Sequence, residues 1–275
     1  MNDELLSRLQ RLIKLYLPES FVNDYLNDPA CLMNKQNWQL AVMFTDIRSF
    51  GRLSERRSLE NLSQDLNSYF QMMANIIYAR NGIINKYIGD AILAYFGHPV
   101  YSEETALQSV LAAIEMIEAT TMSGSSPDAF HVAVGINLGT VSIGNVGHPE
   151  KKLDYTIIGH TVNFAARLEG LTSTYKQGIL VSERVYDKIR DVLPCRIVDS
   201  LSIKEGETTR IFTTKKDLSP QEQLAWNRHN EGMKLFHSRD FKAALKSFQA
   251  ALEHLESDYL AGMMIERCKK SIPVE

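Results

Sequence analysis

One short turn limits what this chain can fold into more than any other stretch of its sequence. Residues 83–88 and 91–96 are both strand-like, and the Gly89-Asp90 dipeptide between them suits a tight two-residue turn. The sequence therefore predicts a β-hairpin, preceded by one long helix over residues 59–77. Because hairpins alternate with helices along the chain, the pattern favours a mixed α/β or α+β sandwich and excludes a doubly wound parallel sheet.

Further strands are predicted on both sides of this hairpin. An apolar strand over residues 38–44 ends at Thr45-Asp46. Apolar and polar residues alternate over residues 131–138, Gly139-Thr140 has the composition of a turn, and residues 141–144 are predicted to return as a short strand. We therefore expect a second hairpin in this region.

Three regions of the chain differ in their patterns. We expect a helical lead-in over residues 1–37, the mixed domain over residues 38–216, and helices only over residues 217–275. The last region is similar to one tetratricopeptide unit in the spacing of four residues: Gly232, Ala244, Phe248 and Ala251. One unit cannot bury its own apolar face, so two hypotheses stay open. The region is either a helical hairpin packed on the protein or a repeat that binds a regulatory partner.

The composition excludes several classes of function. A net charge of -3 lacks the basic excess that is typical of nucleic-acid-binding proteins. Three widely separated cysteines, Cys31, Cys195 and Cys268, fit neither a zinc site nor a disulfide framework. They predict reduced thiols in a cytoplasmic protein. No uninterrupted apolar run is long enough to span a bilayer.

Two carboxylates lie where predicted strands end, Asp46 after the apolar strand and Asp90 in the hairpin turn. Two such groups can hold a pair of divalent ions when phosphate oxygens fill the remaining coordination positions. Aspartates in turns more often serve as local hydrogen-bond acceptors. The positions alone do not decide between these two interpretations.

Three motifs favour the metal-binding interpretation. Residues 44–50 (FTDIRSF), 85–90 (NKYIGD) and 155–168 (YTIIGHTVNFAARL) resemble, in order, the three motifs of class III adenylyl and guanylyl cyclases. The resemblance covers roughly residues 38–214. It implies an α+β fold with a ferredoxin-like βαββαβ core and a small helical extension. It also implies two divalent metal ions, Mg²⁺ or Mn²⁺, as cofactors.

The same resemblance implies how the ions and the triphosphate are held. Asp46 and Asp90 would bind both ions, with the Ile47 carbonyl oxygen as a further ligand. Backbone amides at Phe50 and Gly51, where a helix begins, would hold the terminal phosphates.

Three positions depart from the family pattern. The family usually has Gly where this chain has Ser49, and Thr where it has Gly51. A family lysine that contacts the triphosphate aligns with Gly206. Lys204 and Arg210 are the nearest candidates to replace it.

A polar pair in the third motif is expected to act on the ribose and the α-phosphate. Asn163 and Arg167 are four residues apart and so share one face of the predicted helix. Another face is apolar: Phe164, Leu168 and Leu171. The resemblance implies that Asn163 orients the ribose and that Arg167 neutralises charge on the α-phosphate. Without the motif, a solvated Asn and an Arg in a surface ion pair would be the ordinary interpretation.

Lys86 and Thr156 match the two purine-reading positions of the family. Lysine can only donate hydrogen bonds, which suits adenine N1, and the threonine hydroxyl can accept from the adenine amine. Guanylyl cyclases have Glu and Cys at these positions. The Lys/Thr pair is similar to that of the class IIIb branch, whose members are commonly bicarbonate-responsive.

The sequence therefore predicts an adenylate cyclase that converts ATP to cyclic AMP. The resemblance implies a homodimer with shared sites. In each site one chain gives Asp46 and Asp90, and the other gives the purine-reading, ribose and α-phosphate residues: Lys86, Thr156, Asn163 and Arg167. The alternatives are a guanylate cyclase, a palm-like nucleotidyl transferase with the same carboxylates, and a decayed cyclase domain that acts as a regulatory or scaffold protein.

Overall fold

The structure is a computed structural model that describes residues 2–17, 19–29, 33–122, 129–204 and 207–272. Its helices are α1 (Asn2–Tyr16), α2 (Glu19–Asn27), α3 (Phe50–Ser54), α4 (Leu59–Ala79), α5 (Thr105–Met122), α6 (His160–Tyr175), α7 (Glu183–Ile189), α8 (Pro220–His237), α9 (Phe241–His254) and α10 (Tyr259–Ser271). Its strands are β1 (Gln36–Ile47), β2 (Gly82–Ile88), β3 (Ala91–Phe96), β4 (Val132–His148), β5 (Lys152–Ile158), β6 (Ile179–Ser182), β7 (Cys195–Lys204) and β8 (Glu207–Thr214).

In the described ranges, no helix combines the length and apolar character needed to cross a bilayer.

These strands form one sheet in the order β2-β3-β1-β4-β6-β8-β7, with β5 paired to the second half of β4. Neighbouring strands are antiparallel except β4 and β6, which are parallel. Strands β1 to β4 and helices α4 and α5 follow each other as βαββαβ, the predicted ferredoxin-like order. The predicted α+β class is confirmed.

Alternate residues of β1 face two different helical layers. Ala41 and Met43 pack in a core with side chains of α4, α5 and α7, whereas Leu40 and Val42 pack with side chains of α6. Successive side chains of a strand point to opposite faces. Asp46 has the same parity as Leu40 and Val42, so it lies on the face that α6 covers.

The hairpin predicted at Gly89-Asp90 is present. β2 ends at Ile88 and β3 begins at Ala91. Gly89 has a φ of 65°, in the left-handed region that favours glycine. The pairing of β2 with β3 shifts by one residue at Asn85, which opposes no residue of β3 and forms a β-bulge.

The second predicted hairpin is wrong. β4 continues through the predicted turn, where Gly139 pairs with Leu40 and Thr140 with Gln39 of β1. Glycine serves another purpose here, since an added Cβ at Gly139 would lie 2.6 Å from Oγ1 of Thr161 in the first turn of α6. Close approach of another element is a second common reason for glycine inside a strand.

The predicted lead-in is helical, as α1 and α2. The ring of Phe21 in α2 is buried, with its centroid 4.3 Å from that of Tyr155 in β5. In helix α1, by contrast, the side chains of Leu5, Leu9 and Leu12 are exposed. The domain boundaries after residues 37 and 216 stay predictions.

Helix α8 covers the outer edge of the sheet at β7. The Ile197 N–H donates to Oδ1 of Asn230 (2.9 Å), and Nδ2 of Asn230 donates to the Cys195 carbonyl (3.1 Å). Nε2 of His229 lies 2.9 Å from the Ile197 carbonyl, so this nitrogen carries the ring proton. Burial and the neighbouring charge of Arg196 lower the pKa of His229 well below its usual value, which keeps the ring neutral.

A buried ion pair joins the C-terminal helices to β7. Nη2 of Arg196 donates to Oδ2 of Asp258 (2.6 Å) and to Nδ1 of His229 (2.7 Å). The ionic side chains of this pair are each only 3% exposed. Oδ1 of Asp258 also accepts from two N–H groups at the start of α10 and so caps that helix. The C-terminal helices are therefore packed firmly on the mixed domain, and α10 is a helix that the sequence patterns did not single out.

The cysteines bear no disulfide in the described part of the chain. Cys195 is partly buried and Cys268 is buried, and both are free thiols. Cys31 lies outside the described residues.

We expect Asp258→Asn to lower the free energy of unfolding by about 3 kcal/mol, because Arg196 would stay buried without its carboxylate partner. Asparagine preserves the helix cap, so the charge is the main change. Asp240→Asn is the matched control, since Asp240 caps α9 through the Ala243 N–H and is exposed. It should cost less than about 0.5 kcal/mol. Urea unfolding measures both variants, and equal losses would contradict this account of the ion pair.

Candidate active site

The two aspartates lie at the same edge of the sheet. Asp46 is the last residue but one of β1, and Asp90 lies in the turn that leads into β3, the neighbour of β1. Their carboxyl groups are close enough to share a hydrogen bond when one of them is protonated. Burial, this hydrogen bond and the charge of Asp90 raise the pKa of Asp46 from 3.8 to about 6.

This pair fits a divalent cation. Two adjacent carboxylates repel each other, and a cation bound between them removes the repulsion. Carboxylate oxygens are also the hard ligands that Mg²⁺ prefers. Within the described ranges, no cluster of three or more Asp, Glu, His or Cys side chains could hold an ion. Oxygens from the backbone, such as the predicted Ile47 carbonyl at the end of β1, and from a bound phosphate would have to complete the coordination.

A tight loop links β1 to α3, where phosphate binding is predicted. Ser49 has φ 58° and ψ 30°, a left-handed conformation that glycine adopts with less strain. Nη2 of Arg52 donates to Oγ of Ser49 (2.8 Å) and holds the loop. Phe50 and Gly51 form the first turn of α3, and a Cβ at Gly51 would meet no atom within 4 Å in the described structure. This side of the loop is therefore open to a ligand.

The two predicted purine-reading residues lie close together on β2 and β5. Lys86 forms an ion pair with Asp154. Thr156 lies two residues after Asp154, on the same face of β5. Its hydroxyl donates to Oδ1 of Asn85 (3.0 Å), and Nδ2 of Asn85 donates to the Tyr155 carbonyl (3.2 Å).

Helix α6 lies very close to β4 because Gly135 has no side chain. An added Cβ at Gly135 would lie 2.2 Å from the backbone nitrogen of Glu169 and 2.4 Å from the carbonyl oxygen of Ala165. Gly135 pairs with Phe44, two residues before Asp46 on β1. The contact thus fixes α6 beside the aspartate pair.

The polar pair of α6 lies on its outer side, as predicted. Asn163 and Arg167 are both exposed, and Nη1 of Arg167 donates to the Ser202 carbonyl of β7 (2.7 Å). The predicted apolar face packs in a separate cluster: Phe164, Leu168 and Leu171. The roles of Asn163 and Arg167 stay predictions.

Two charged residues near the aspartates were missed by the sequence reasoning. Burial and the charge of Asp46 raise the pKa of Glu169 to about 7, against the opposing effect of Arg48. Arg48 also donates from Nη2 to the Gln177 carbonyl (2.5 Å). Arg48 lies inside the first motif, two positions after Asp46, and Glu169 directly follows the third motif, two positions after Arg167. Their nearness in sequence to these predicted site residues was the available signal.

The replacement for the family lysine is not found among the described side chains. Gly206 lies outside the described residues, as does the side chain of Lys204. Arg210, the other candidate, donates from Nε to Oε1 of Glu183 (2.8 Å) and is held there.

Comparison with known proteins gives consistent matches. Residues 32–213 match the family described as "Adenylate and Guanylate cyclase catalytic domain". The terminal-differentiation-specific adenylate cyclase of Dictyostelium discoideum is 30% identical over 272 residues, which are 94% of this chain but 12% of that protein. The chain therefore spans only a small part of that relative.

Two solved structures have similar folds. The adenylyl cyclase CyaB from P. aeruginosa matches with a TM-score of 0.61 and 32% identity, over 68% of this chain and 98% of that one. The guanylate cyclase domain of RhGC from Catenaria anguillulae, in complex with GTP, matches with a TM-score of 0.58 and 26% identity, over 66% of this chain and 98% of that one. The fold itself therefore does not distinguish adenine from guanine.

We expect Asp90→Asn to stabilise the metal-free protein at pH 7.5. Because the pKa of Asp46 is raised on folding, the folded protein favours the protonated form of this carboxyl group. The stability gained from that form is lost as pH rises from about 4 to about 6. Removing the Asp90 charge should restore up to about 1 kcal/mol, since partial solvation screens the repulsion. Mg²⁺ should stabilise the wild type and have little effect on the variant. Thermal unfolding with and without Mg²⁺ measures this. An unchanged Mg²⁺ response in the variant would contradict metal binding by this pair.

We expect Gly135→Ala to destabilise the protein by about 1–3 kcal/mol or more, because the new methyl group would overlap the backbone of α6. Gly170→Ala is the matched control within α6. A Cβ at Gly170 would meet no atom of the described residues within 4 Å, so alanine there should be neutral or stabilising by up to about 1 kcal/mol. Urea unfolding measures both. Equal effects would show that the contact at Gly135 is not close.

Proposed function

Because the chain belongs to the adenylate and guanylate cyclase catalytic domain family, we propose that it converts ATP to 3′,5′-cyclic AMP and pyrophosphate in active sites shared by two copies of the chain. The observation that carries this proposal is the orientation of α6. Burial and the charges of Asp46 and Asp90 raise the pKa of Glu169, so Glu169 lies on the side of α6 that faces these aspartates. Arg167 lies two positions earlier, which is about 200° around the helix, so it points away from the aspartates of its own chain.

Exposed apolar side chains support the shared site. Four of them are neighbours, along the chain or across a strand pair, of the predicted purine-reading residues or of Ser202, which Arg167 contacts, and each is 40–48% exposed: Ile88, Val146, Ile158 and Ile203. Exposed apolar side chains near one site are typical of a surface that another protein covers. A second copy placed there would bring its Asp46 and Asp90 to Lys86, Thr156, Asn163 and Arg167.

The chemistry follows from the residues of the combined site. The ribose 3′-oxygen forms a bond to the α-phosphorus, its proton passes to water, and the bond to the bridging oxygen of pyrophosphate breaks. Asn163 orients the ribose, and Arg167 balances the charge that develops on the α-phosphate. Amides at Phe50 and Gly51 bind the terminal phosphates. Divalent ions on Asp46 and Asp90, Mg²⁺ or Mn²⁺, would acidify the 3′-hydroxyl and stabilise the leaving oxygens.

Adenine is the proposed base because the reading pair has the matching polarity. The ammonium group of Lys86 donates to N1, which is an acceptor in adenine and a donor in guanine. Guanylate cyclase activity is the second candidate, because the matching family includes guanylate cyclases. A decayed cyclase domain is disfavoured because the sequence retains all four predicted site residues: Asp46, Asp90, Asn163 and Arg167. A palm-like transferase would not need the last two.

The C-terminal helices are proposed to stabilise the catalytic domain itself. The buried pair of Arg196 and Asp258 supports this role. Binding of a regulatory protein by these helices, a bicarbonate response and a cytoplasmic location stay predictions.

Complementation tests the shared site. Wild-type protein with ATP and Mg²⁺ or Mn²⁺ should give cyclic AMP. Asp46→Ala and Arg167→Ala should each be inactive alone, because each damages both sites of a homodimer. Mixing them should restore one intact site in every heterodimer, and so about one quarter of wild-type activity if pairing is random.

The control mixes Asp46→Ala with Asp90→Ala, whose lesions fall on the same half-site, and should recover nothing. Product analysis by chromatography measures each mixture. No recovery in the first mixture, despite demonstrated subunit exchange, would rule out the shared arrangement.

A further inference from the structure

We propose that Asn85 is a positioning residue that determines base specificity: it fixes the hydroxyl of Thr156 as a hydrogen-bond acceptor and thereby makes the site read adenine. This inference rests on the proposed cyclase function and deepens it. The family resemblance implies no role for Asn85.

The first observation is the β-bulge at Asn85. Ile84 pairs with Ala94 and Lys86 with Leu93, so Asn85 is the extra residue of β2. A bulge redirects the side chain of its extra residue, and bulges are enriched next to active sites. Here the Asn85 amide reaches the backbone and side chains of β5, 70 and 71 residues further along the chain.

The second observation is that the Asn85 amide can have only one orientation. Nδ2 lies 3.2 Å from the Tyr155 carbonyl oxygen, which can only accept. The reverse orientation would place two acceptor oxygens against each other. Oδ1 must therefore face the Thr156 hydroxyl, at 3.0 Å.

This arrangement decides the polarity of Thr156. A hydroxyl group has one proton and two lone pairs. Oδ1 of Asn85 takes the proton at 3.0 Å, and the only other contact of this hydroxyl in the described structure is a longer one to the Ile157 carbonyl at 3.5 Å. Both partners are acceptors, so the lone pairs of Thr156 are what it offers to a base.

The polarity matches adenine and opposes guanine. The adenine amine can donate to Thr156 while N1 accepts from Lys86, whose ammonium group is held nearby by Asp154. Guanine in the same position would bring its O6 against the lone pairs of Thr156. If Asn85 were lost, the Thr156 hydroxyl could rotate and donate to O6. Discrimination against guanine should then weaken.

The test measures kcat/KM for ATP and for GTP in the full chain, and takes their ratio. Asn85→Leu has a similar size and no hydrogen-bonding groups, and it should lower the ratio about tenfold or more. Asn85→Asp keeps an oxygen that accepts from Thr156 but cannot donate to Tyr155, and it should keep the wild-type ratio. If the amide had a purely structural role, both variants would behave alike, and kcat/KM would fall for ATP and GTP together. Asn85→Ala replaces the leucine variant if that one does not fold.

A double-mutant cycle shows whether Asn85 acts through Thr156. In a Thr156→Val background, Asn85→Leu should cause no further change in the ratio. Equilibrium binding of 3′-deoxy-ATP and 3′-deoxy-GTP, which lack the attacking hydroxyl, should show the same pattern of affinities.

Three results would overturn the inference: an unchanged ratio in Asn85→Leu, an equal loss in Asn85→Asp, or additive effects with Thr156→Val. Failure of the proposed function gives a different result. In that case the wild-type chain itself would make no cyclic AMP or would show no preference for ATP.

Discussion

The backbone contact between α6 and β4 at Gly135 is the constraint on which the site depends. A side chain at this position would keep the helix away from the sheet, because its Cβ would overlap the backbone of residues 165 and 169. With the helix this close, Glu169 reaches the electrostatic field of Asp46 and Asp90. The same contact turns the opposite face of α6, with Asn163 and Arg167, outward. One missing side chain thus gives α6 an acidic inner face and an outer face available to a second chain.

The other end of α6 is held by the C-terminal helices. Leu260 of α10 packs in one cluster with Leu168 and Tyr175 of α6. Asp199 of β7 accepts hydrogen bonds from the Tyr175 hydroxyl and from Arg267 of α10, both at 2.6 Å. Helix α6 is therefore fixed by glycine on the sheet side and by α10 behind its C-terminal end. The C-terminal helices belong to the support of the site, although they lie outside the recognised motifs.

The sequence predicted those features whose cause is local. The hairpin at Gly89-Asp90 and the polar and apolar faces of α6 follow from turn chemistry and from helical period, which few residues determine. The turn predicted at Gly139 was wrong because the sequence alone does not distinguish a glycine that lets a helix approach a strand from a glycine that forms a turn. The roles of Asn85 and Arg196 depend on partners 71 and 62 residues away, which no local pattern identifies.

The cover that α8 places over β7 has a consequence for how the chain reaches its fold. An open edge strand presents unpaired N–H and C=O groups and can pair with the edge of another molecule. In this protein the Asn230 and His229 side chains occupy such groups at Cys195 and Ile197. During synthesis, β7 leaves the ribosome before α8 does. A sheet that forms before α8 is synthesised and docked would therefore have an open edge at β7, so protection of that edge depends on a helix that comes later in the chain.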